Sequence, residues 1–288
     1  MRTPISAVLL SFATAVAVPA SPASAVTTDR WERSYAIADR AALHVLTDDG
    51  DVRVRSWDRR AIAVRVTTTG WRIGERGVGI EQRQDGDRVE LEVRTPHWEF
   101  HFGIVVRALR IEVWVPEESD LTLETGDGDV AVPAVRGRLV VRTGDGAISV
   151  DGARGDLRLR SGDGRIVGTR LDGALDAHTS DGGLRIDGRF DALALSSGDG
   201  SITAEASPGS RMGAPWTVST GDGRVTLRVP ADLRADIDAH TGDGAIDIDL
   251  PLTISGRVSR RDVRGTLNGG GPPLRLRSGD GSIRVEGR

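Results

Sequence analysis

The chain has 288 residues, a formal net charge of −4 at pH 7 and no cysteine. An acidic balance provides no general attraction to a phosphate backbone, so we expect no nucleic-acid partner. The lack of cysteine excludes disulfides and a cysteine-linked lipid anchor.

Residues 1–25 have the features of a secretory signal peptide. Arg2 supplies a short positive segment, residues 5–18 are apolar, and Ala23-Ser-Ala25 is a small-x-small cleavage site. The apolar run is too short and too rich in alanine for a stable membrane span. We therefore expect a secreted or cell-surface protein with no transmembrane segment after signal cleavage.

Residues 26–120 are rich in strand patterns but irregular in spacing. Apolar and polar residues alternate in several runs, for example from Val89 to Val93 and from Leu109 to Val115, and glycine-containing bends separate the runs. No segment has a helical period of useful length. We expect an N-terminal β-strand region that leads into, or caps, the repeats that follow.

An aromatic cluster lies inside this region, and two interpretations of it stay open. The loop could fold over one end of the core and seal it. It could instead be an exposed ligand-binding loop, because aromatic residues in loops often serve recognition. The candidate residues are His97, Trp98, Phe100, His101 and Phe102.

From residue 121 to residue 288 the sequence is organised by a repeat. Leu139-Val-Val-Arg-Thr-Gly-Asp-Gly146 recurs as Leu157-Arg-Leu-Arg-Ser-Gly-Asp-Gly164, and two similar segments follow. A fixed period of this size is typical of a solenoid, in which each repeat buries its apolar face only against its neighbours. The aspartates of the repeat lie 18 residues apart and are called here the aspartate ladder: Asp127, Asp145, Asp163, Asp181 and Asp199.

Each repeat predicts two short strands and two turns. Alternate apolar residues such as Leu157 and Leu159 share one face of a strand, and by the same parity Ser161 also points to the core. Gly-Asp-Gly suits a turn, because glycine tolerates positive φ. An antiparallel meander is the alternative, but identical repeat lengths favour stacking of like residues about 4.8 Å apart. We predict an all-β fold, a repeat β-solenoid of about 18 residues per coil with an irregular strand-rich N-terminal part.

The period slips after Gly200. A stretch of 37 residues separates Asp243 from Asp280, which predicts one coil that has lost its Gly-Asp-Gly. A final good copy of the repeat follows. Its last strand is expected to leave an open edge for edge-to-edge self-association, softened by Arg284, Glu286 and Arg288.

The aspartate ladder also suggests calcium as a cofactor, because stacked carboxylates and turn carbonyls suit a hard cation. The known calcium repeat has nine residues, which is half of the period found here. The other interpretation is that each aspartate only forms its turn. Both interpretations stay open, and no other cofactor is expected.

An enzyme of the parallel β-helix kind, acting on polysaccharide, is the alternative function. Such a site needs a carboxylate cluster or an arginine at one departure from the repeat. Asp127 with Asp145 could mimic paired carboxylates, but every coil offers the same pair. Gly-Asp-Gly is not a phosphate loop, because the chain has no lysine and no helix follows it. We expect no catalytic residues.

The chain resembles a bacterial family of putative adhesins, also known as a domain of unknown function with β-strand repeats. Four features together carry the resemblance: the repeated Leu-x-Leu-x-Thr/Ser-Gly-Asp-Gly-x-Ile, the signal peptide, the alternating N-terminal strands and the late Gly-Gly-Gly segment. The resemblance runs from about Tyr35 to Val285. It implies a β-solenoid-like fold at the cell envelope and brings no catalytic residues. We expect an exported, non-enzymatic scaffold whose partner is an unknown surface protein or glycan.

Overall fold

The computed structural model describes residues 27–96, 107–254 and 259–288. The regular elements in these ranges are all β-strands, so the all-β prediction is confirmed. No helical segment in the same ranges has the length and apolar character of a membrane span. The predicted signal peptide lies outside the described residues. So does the predicted aromatic loop, which comprises His97, Trp98, Phe100, His101 and Phe102.

The described residues form 23 strands. In chain order they are β1 (Thr28–Ala36), β2 (Ala41–Thr47), β3 (Asp51–Trp57), β4 (Ala61–Thr69), β5 (Gly79–Asp85), β6 (Arg88–Arg94), β7 (Ala108–Pro116), β8 (Ser119–Thr125), β9 (Val130–Val132), β10 (Arg136–Thr143), β11 (Ile148–Asp151), β12 (Arg154–Ser161), β13 (Ile166–Thr179), β14 (Leu184–Ser197), β15 (Ile202–Ala206), β16 (Trp216–Thr220), β17 (Val225–Val229), β18 (Ala235–Thr241), β19 (Ile246–Asp249), β20 (Leu252–Ile254), β21 (Asp262–Leu267), β22 (Pro273–Ser278) and β23 (Ile283–Gly287).

The strands lie in two rows that share one apolar core. The first row runs β5, β6, β2, β8, β10, β12, the second halves of β13 and β14, β16, β22, β18, β21 and β20. The second row runs β1, β4, β7, β3, β9, β11, the first halves of β13 and β14, β15, β17, β23 and β19. Because β13 and β14 run through both rows, all strands belong to one continuous sheet.

Neighbouring repeats pair in parallel, with like residues side by side. Leu139 lies between Leu121 and Leu157, each 18 residues away along the chain. A meander would reverse direction at every strand, so the parallel pairing excludes it in this part of the chain. Inserted residues widen the offset later, where Leu195 pairs with Val218. The architecture is therefore β-solenoid-like.

The coils do not stack in chain order at either end. β6 and β7 lie outside β2 and β3, although they follow them in the chain. At the other end β22 lies between β16 and β18, and β23 lies between β17 and β19. The prediction of an open edge at the last strand is therefore wrong. The outer strands β18 and β19 precede β22 and β23 in the chain, and β22 and β23 pair on the inner side of them. Arg284 and Glu286 both have neighbours on two sides, and Arg288 donates its N–H to the Val229 carbonyl.

Among the described residues, antiparallel strands cover three of the four outermost parallel strands, namely β6, β7 and β18. At the first end, β5 pairs with β6, and β4 lies between β7 and β1. At the other end, β21 lies between β18 and β20. The expectation of a further coil between Asp243 and Asp280 is wrong, because β20 and β21 occupy that stretch. Such covers limit the unpaired backbone that a bare parallel strand would present to other chains.

Buried hydroxyl groups form a second ladder beside the apolar core. As parity predicts, these side chains are buried. The Thr143 hydroxyl accepts the N–H of Gly146 in its own turn, at 3.1 Å, and donates to the carbonyl of Gly128 in the preceding coil, also at 3.1 Å. The same two bonds recur along the stack, so each hydroxyl links two coils. We call this set the hydroxyl ladder: Thr143, Ser161, Thr179, Ser197, Thr220, Ser278 and Thr241.

The glycines of Gly-Asp-Gly are required for space. A Cβ atom added to Gly164 would lie 1.9 Å from the carbonyl oxygen of Gly146, and one added to Gly146 would lie 2.0 Å from that of Gly128. These glycines are not among the residues with positive φ, so the predicted reason for them is wrong. Positive φ occurs instead at the other bend of the repeat, at Gly155 and Gly173.

Replacing Thr143 by valine should lower the free energy of unfolding by about 1–3 kcal/mol, because the buried N–H of Gly146 and carbonyl of Gly128 each lose a partner. Urea unfolding of the purified protein measures the loss. Thr122→Val is the matched control, since Thr122 lies on the outward face of β8; its effect should stay within about 0.5 kcal/mol. Equal losses in the two variants would contradict a special role for the buried hydroxyl.

Gly164→Ala should destabilise the protein by more than about 3 kcal/mol, because the added methyl group overlaps the neighbouring backbone and forces two coils apart. Thermal unfolding followed by circular dichroism measures the effect. Gly79→Ala provides the comparison, since a Cβ atom there meets nothing within 4 Å. A Gly164→Ala protein as stable as Gly79→Ala would show that the coils can separate at little cost.

Candidate functional site

The side chains of the aspartate ladder point outward at the turns, and all five are exposed. Their backbone groups are used in stacking: the Asp145 N–H donates to the Gly126 carbonyl at 3.2 Å, and the Asp163 N–H donates to the Gly144 carbonyl at 3.1 Å. These contacts fit the turn-forming interpretation. In the described ranges, no group of three or more histidine, aspartate or glutamate side chains is arranged to hold a metal ion. Calcium binding stays the untested alternative to the turn-forming interpretation.

The ladder is continued at the first end by Asp49. Burial raises the pKa of the Asp49 carboxyl, and the negative charge of Asp127 raises it further. Thr95 donates its hydroxyl to the Asp49 carboxylate at 3.5 Å. Asp49 and Asp127 are therefore a crowded acidic pair at the point where the repeat meets the N-terminal strands.

We expect no calcium-specific change in melting temperature when EDTA in the buffer is replaced by millimolar calcium. The aspartates already fulfil a turn role through their backbone, and a cation that bound the folded state would stabilise it by mass action. The measurement is thermal unfolding, with magnesium as the control cation. A rise of many degrees with calcium alone would establish the aspartate ladder as a ligand array.

A second feature, on the outward face of β1, β3, β4 and β7, is an aromatic surface. Trp57 and Trp114 are both partly exposed there, with ring centroids 6.5 Å apart and planes inclined by 34°. The Trp57 indole N–H donates to the Ala61 carbonyl at 2.8 Å, which fixes the ring. Together with the small side chains Ser34 and Ala63, the two rings line a shallow depression of about 340 Å³. We call these four residues the tryptophan patch.

Strand register creates this depression. Ser34, Ala63 and Trp114 lie side by side on β1, β4 and β7, so two small residues stand next to a large ring. The neighbouring register position carries Glu32, Arg65 and Glu112, with charges that alternate in sign. The apolar depression therefore lies beside a row of charged side chains that can form hydrogen bonds.

Arginines flank the rings of the patch. The guanidinium of Arg65 lies 5.0 Å from the Trp114 ring centroid, that of Arg55 lies 6.0 Å from the same ring, and that of Arg59 lies 5.2 Å from Trp57. Glu112 lies 3.3 Å from Arg55 and 3.5 Å from Arg65. The carboxylates neutralise part of the positive charge, and the stacked cations hold the indoles in place.

Sequence reasoning missed the tryptophan patch, although a signal was present. In Leu109-Arg-Ile-Glu-Val-Trp-Val the apolar residues that alternate with Arg110 and Glu112 face the core, and Trp114 shares the parity of the charged residues. A large ring at an outward position indicates an interaction site when a second exposed ring lies beside it. No sequence pattern joins it to Trp57, because the two residues lie on strands whose pairing skips β4 to β6.

The first row carries another depression, of about 380 Å³, on its outward face. Its floor is Ala174, Ala192 and Ala194, and arginines form one wall. The wall arginines are each near a carboxylate, for example Arg160 at 2.7 Å from Asp176, so the groove has little uncompensated charge. We regard the tryptophan patch as the better candidate site.

A comparison with protein families matches residues 40–286 to the family described as Toastrack DUF4097. The chain belongs to this family. The match begins next to β2 and ends within β23, so it spans almost every strand that takes part in the two rows. The family fold is β-solenoid-like, in agreement with the parallel stacking described above. No match was found among curated proteins.

Solved structures with the same kind of fold include a "putative lipid binding protein" from Parabacteroides distasonis ATCC 8503. It is 14% identical to this chain, has a TM-score of 0.52, and the alignment covers 89% of this chain and 96% of that one. A "putative adhesin" from Bacteroides fragilis NCTC 9343 is 13% identical, with a TM-score of 0.44 and coverage of 93% and 99%. At such identities the first likeness supports a shared fold and says nothing about a ligand.

Proposed function

We propose that this Toastrack protein is an exported, non-enzymatic scaffold that binds a cell-surface glycan through its tryptophan patch. The observation that carries the proposal is the pair of partly exposed indoles, Trp57 and Trp114, on a rigid sheet surface beside a line of charged groups. Aromatic rings present a negative π-face, which attracts the weakly positive C–H groups on the flat side of a sugar ring.

The polar neighbours suit the same ligand. Sugar hydroxyls both donate and accept hydrogen bonds, and Arg65 and Glu32 offer a donor and an acceptor next to the depression. The line of alternating charges is nearly neutral, so it favours a polar ligand over a strongly charged one. A mostly apolar surface with a few placed polar groups is the usual composition of a binding site.

The scaffold provides stiffness. We propose about 18 residues per coil for its regular part, since like residues pair at that offset from β8 to the second half of β14. β1, β4, β7 and β3 are paired in one sheet that is continuous with the stacked coils, and this pairing keeps the patch in one shape, which lowers the entropy lost on binding. Export and surface location rest on the signal-peptide features of residues 1–25.

Trp114→Ala should weaken glycan binding by about tenfold or more, because central aromatic residues dominate binding energy. The measurement begins with an oligosaccharide array and continues with calorimetric titration of the best-bound sugar. Trp57→Ala should weaken the same titration. Both variants should keep most of the melting temperature, since both rings lie on the outward face.

Trp71→Ala is the matched control. Trp71 is also partly exposed and has an arginine, Arg107, 5.6 Å from its ring centroid, but it lies in the loop after β4 and lines no part of the patch. Its change should leave the titration as it is. Glycan binding that survives both patch variants would contradict the proposal. Binding to phosphatidylglycerol vesicles, with no binding to any sugar, would also contradict it; lipid is the ligand class that the name of the P. distasonis protein suggests.

A further inference from the structure

β1 is an edge strand with a strand neighbour on one side only among the described residues, namely β4. Ile37 donates its N–H to the Arg60 carbonyl, and Gly70 donates to the Thr27 carbonyl. The odd-numbered residues of this register therefore direct their backbone groups at β4. Alternate residues of an antiparallel strand bond on opposite sides, so the even-numbered residues of β1 direct their N–H and C=O groups at the open side.

The side chains of this edge are self-complementary in charge. Around Trp31 the sequence reads Asp29-Arg-Trp-Glu-Arg33, with a negative and a positive residue on each flank. If a second copy of β1 pairs antiparallel about Trp31, Arg30 lies opposite Glu32 of the second copy and Asp29 lies opposite its Arg33. Opposite charges directly across a strand pair stabilise it, and like charges destabilise it.

Backbone parity and charge select the same register. With Trp31 opposite Trp31, the even-numbered residues meet even-numbered residues, which is the arrangement that lets the open N–H and C=O groups of both edges bond. A shift to the next register of the same parity places either Arg30 opposite Arg30 or Glu32 opposite Glu32. Only the central register satisfies backbone and side chains together.

We propose that two copies of this chain associate through β1 as an antiparallel, two-fold symmetric strand pair centred on Trp31. Such an interface is isologous, so each contact occurs twice. Trp31 is partly buried and packs against the end of the core, and the two indoles would close the gap between the cores of the copies. The Arg30 N–H, which now donates to the carboxylate of Asp29 at 2.9 Å, would donate to the Glu32 carbonyl of the second copy.

The pairing would place two tryptophan patches on one continuous sheet. Glu32 and Ser34 lie on the outward face of β1, next to Arg65 and Ala63, so the patches of both copies face the same way. Trp114 and its counterpart would lie five strand spacings apart across the sheet, about 24 Å, and six residues apart along the strands, roughly 20 Å, because Ser34 beside the patch lies opposite Thr28 of the second copy. Two sites at fixed separation raise the avidity for a repeating surface ligand, and the pairing itself does not depend on that ligand.

The test is a charge exchange followed by analytical ultracentrifugation of the exported protein over a range of concentrations. The unaltered protein should dimerise. Arg30→Glu and Glu32→Arg should each sediment as monomers, because each places like charges opposite one another. An equimolar mixture of the two variants should recover the dimer, since the two substituted side chains then face each other with opposite charges. The unchanged Glu32 of the first variant meets the unchanged Arg30 of the second in the same way.

Arg83→Glu is the control, on β5, the other edge strand at this end. It should leave dimerisation unchanged. A monomeric unaltered protein, a mixture that stays monomeric while both variants keep their melting temperatures, or a dimer lost in Arg83→Glu would each overturn the proposal. Recovery in the mixture also shows that both variants are folded.

Discussion

The close approach of one Gly-Asp-Gly turn to the next is the contact on which the fold depends. Gly146 faces the carbonyl of Gly128 at a distance that leaves no room for a side chain, and the Thr143 hydroxyl bonds to that same carbonyl. The absence of Cβ and the buried hydroxyl therefore act together. A buried carbonyl without a hydrogen-bond partner is costly, so each turn needs a hydroxyl residue to bond the carbonyl. Each turn also needs a glycine, three positions later, to make room for that carbonyl.

The rigidity of this stack explains why the outward positions can vary. Inward side chains are apolar and similar from coil to coil, whereas the outward residues of the rows include arginines, aspartates, alanines and, on β3 and β7, tryptophans. Outward residues can therefore form a binding surface without changing the packing of the core. This separation places a candidate site on the sheet itself, at positions fixed by strand register.

Much of this fold is predictable from the repeat period and from the alternation of inward and outward residues. Neither signal predicts how coils are ordered when long segments join them. The 18-residue spacing predicts that Leu139 stacks beside Leu157, and parity predicts that Thr143 is buried. Period does not reveal which coil is the neighbour when repeats are joined by longer segments, so β22 between β16 and β18 could not be foreseen. The patch was missed for a related reason. Trp57 and Trp114 lie close together only because β3 pairs with β7, which is not the next strand in the chain.

The reversed order of the last two coils also affects how the molecule assembles. β18 and β19 precede β22 and β23 in the chain, yet β22 and β23 are their parallel neighbours in the finished stack. β18 can first pair locally with β21, which follows it closely in the chain. The stack is complete only when β22 lies between β16 and β18 and β23 lies between β17 and β19. The outermost coil is therefore continued by chain at both of its ends, so it cannot fray from a free chain terminus as the last coil of a sequential stack could.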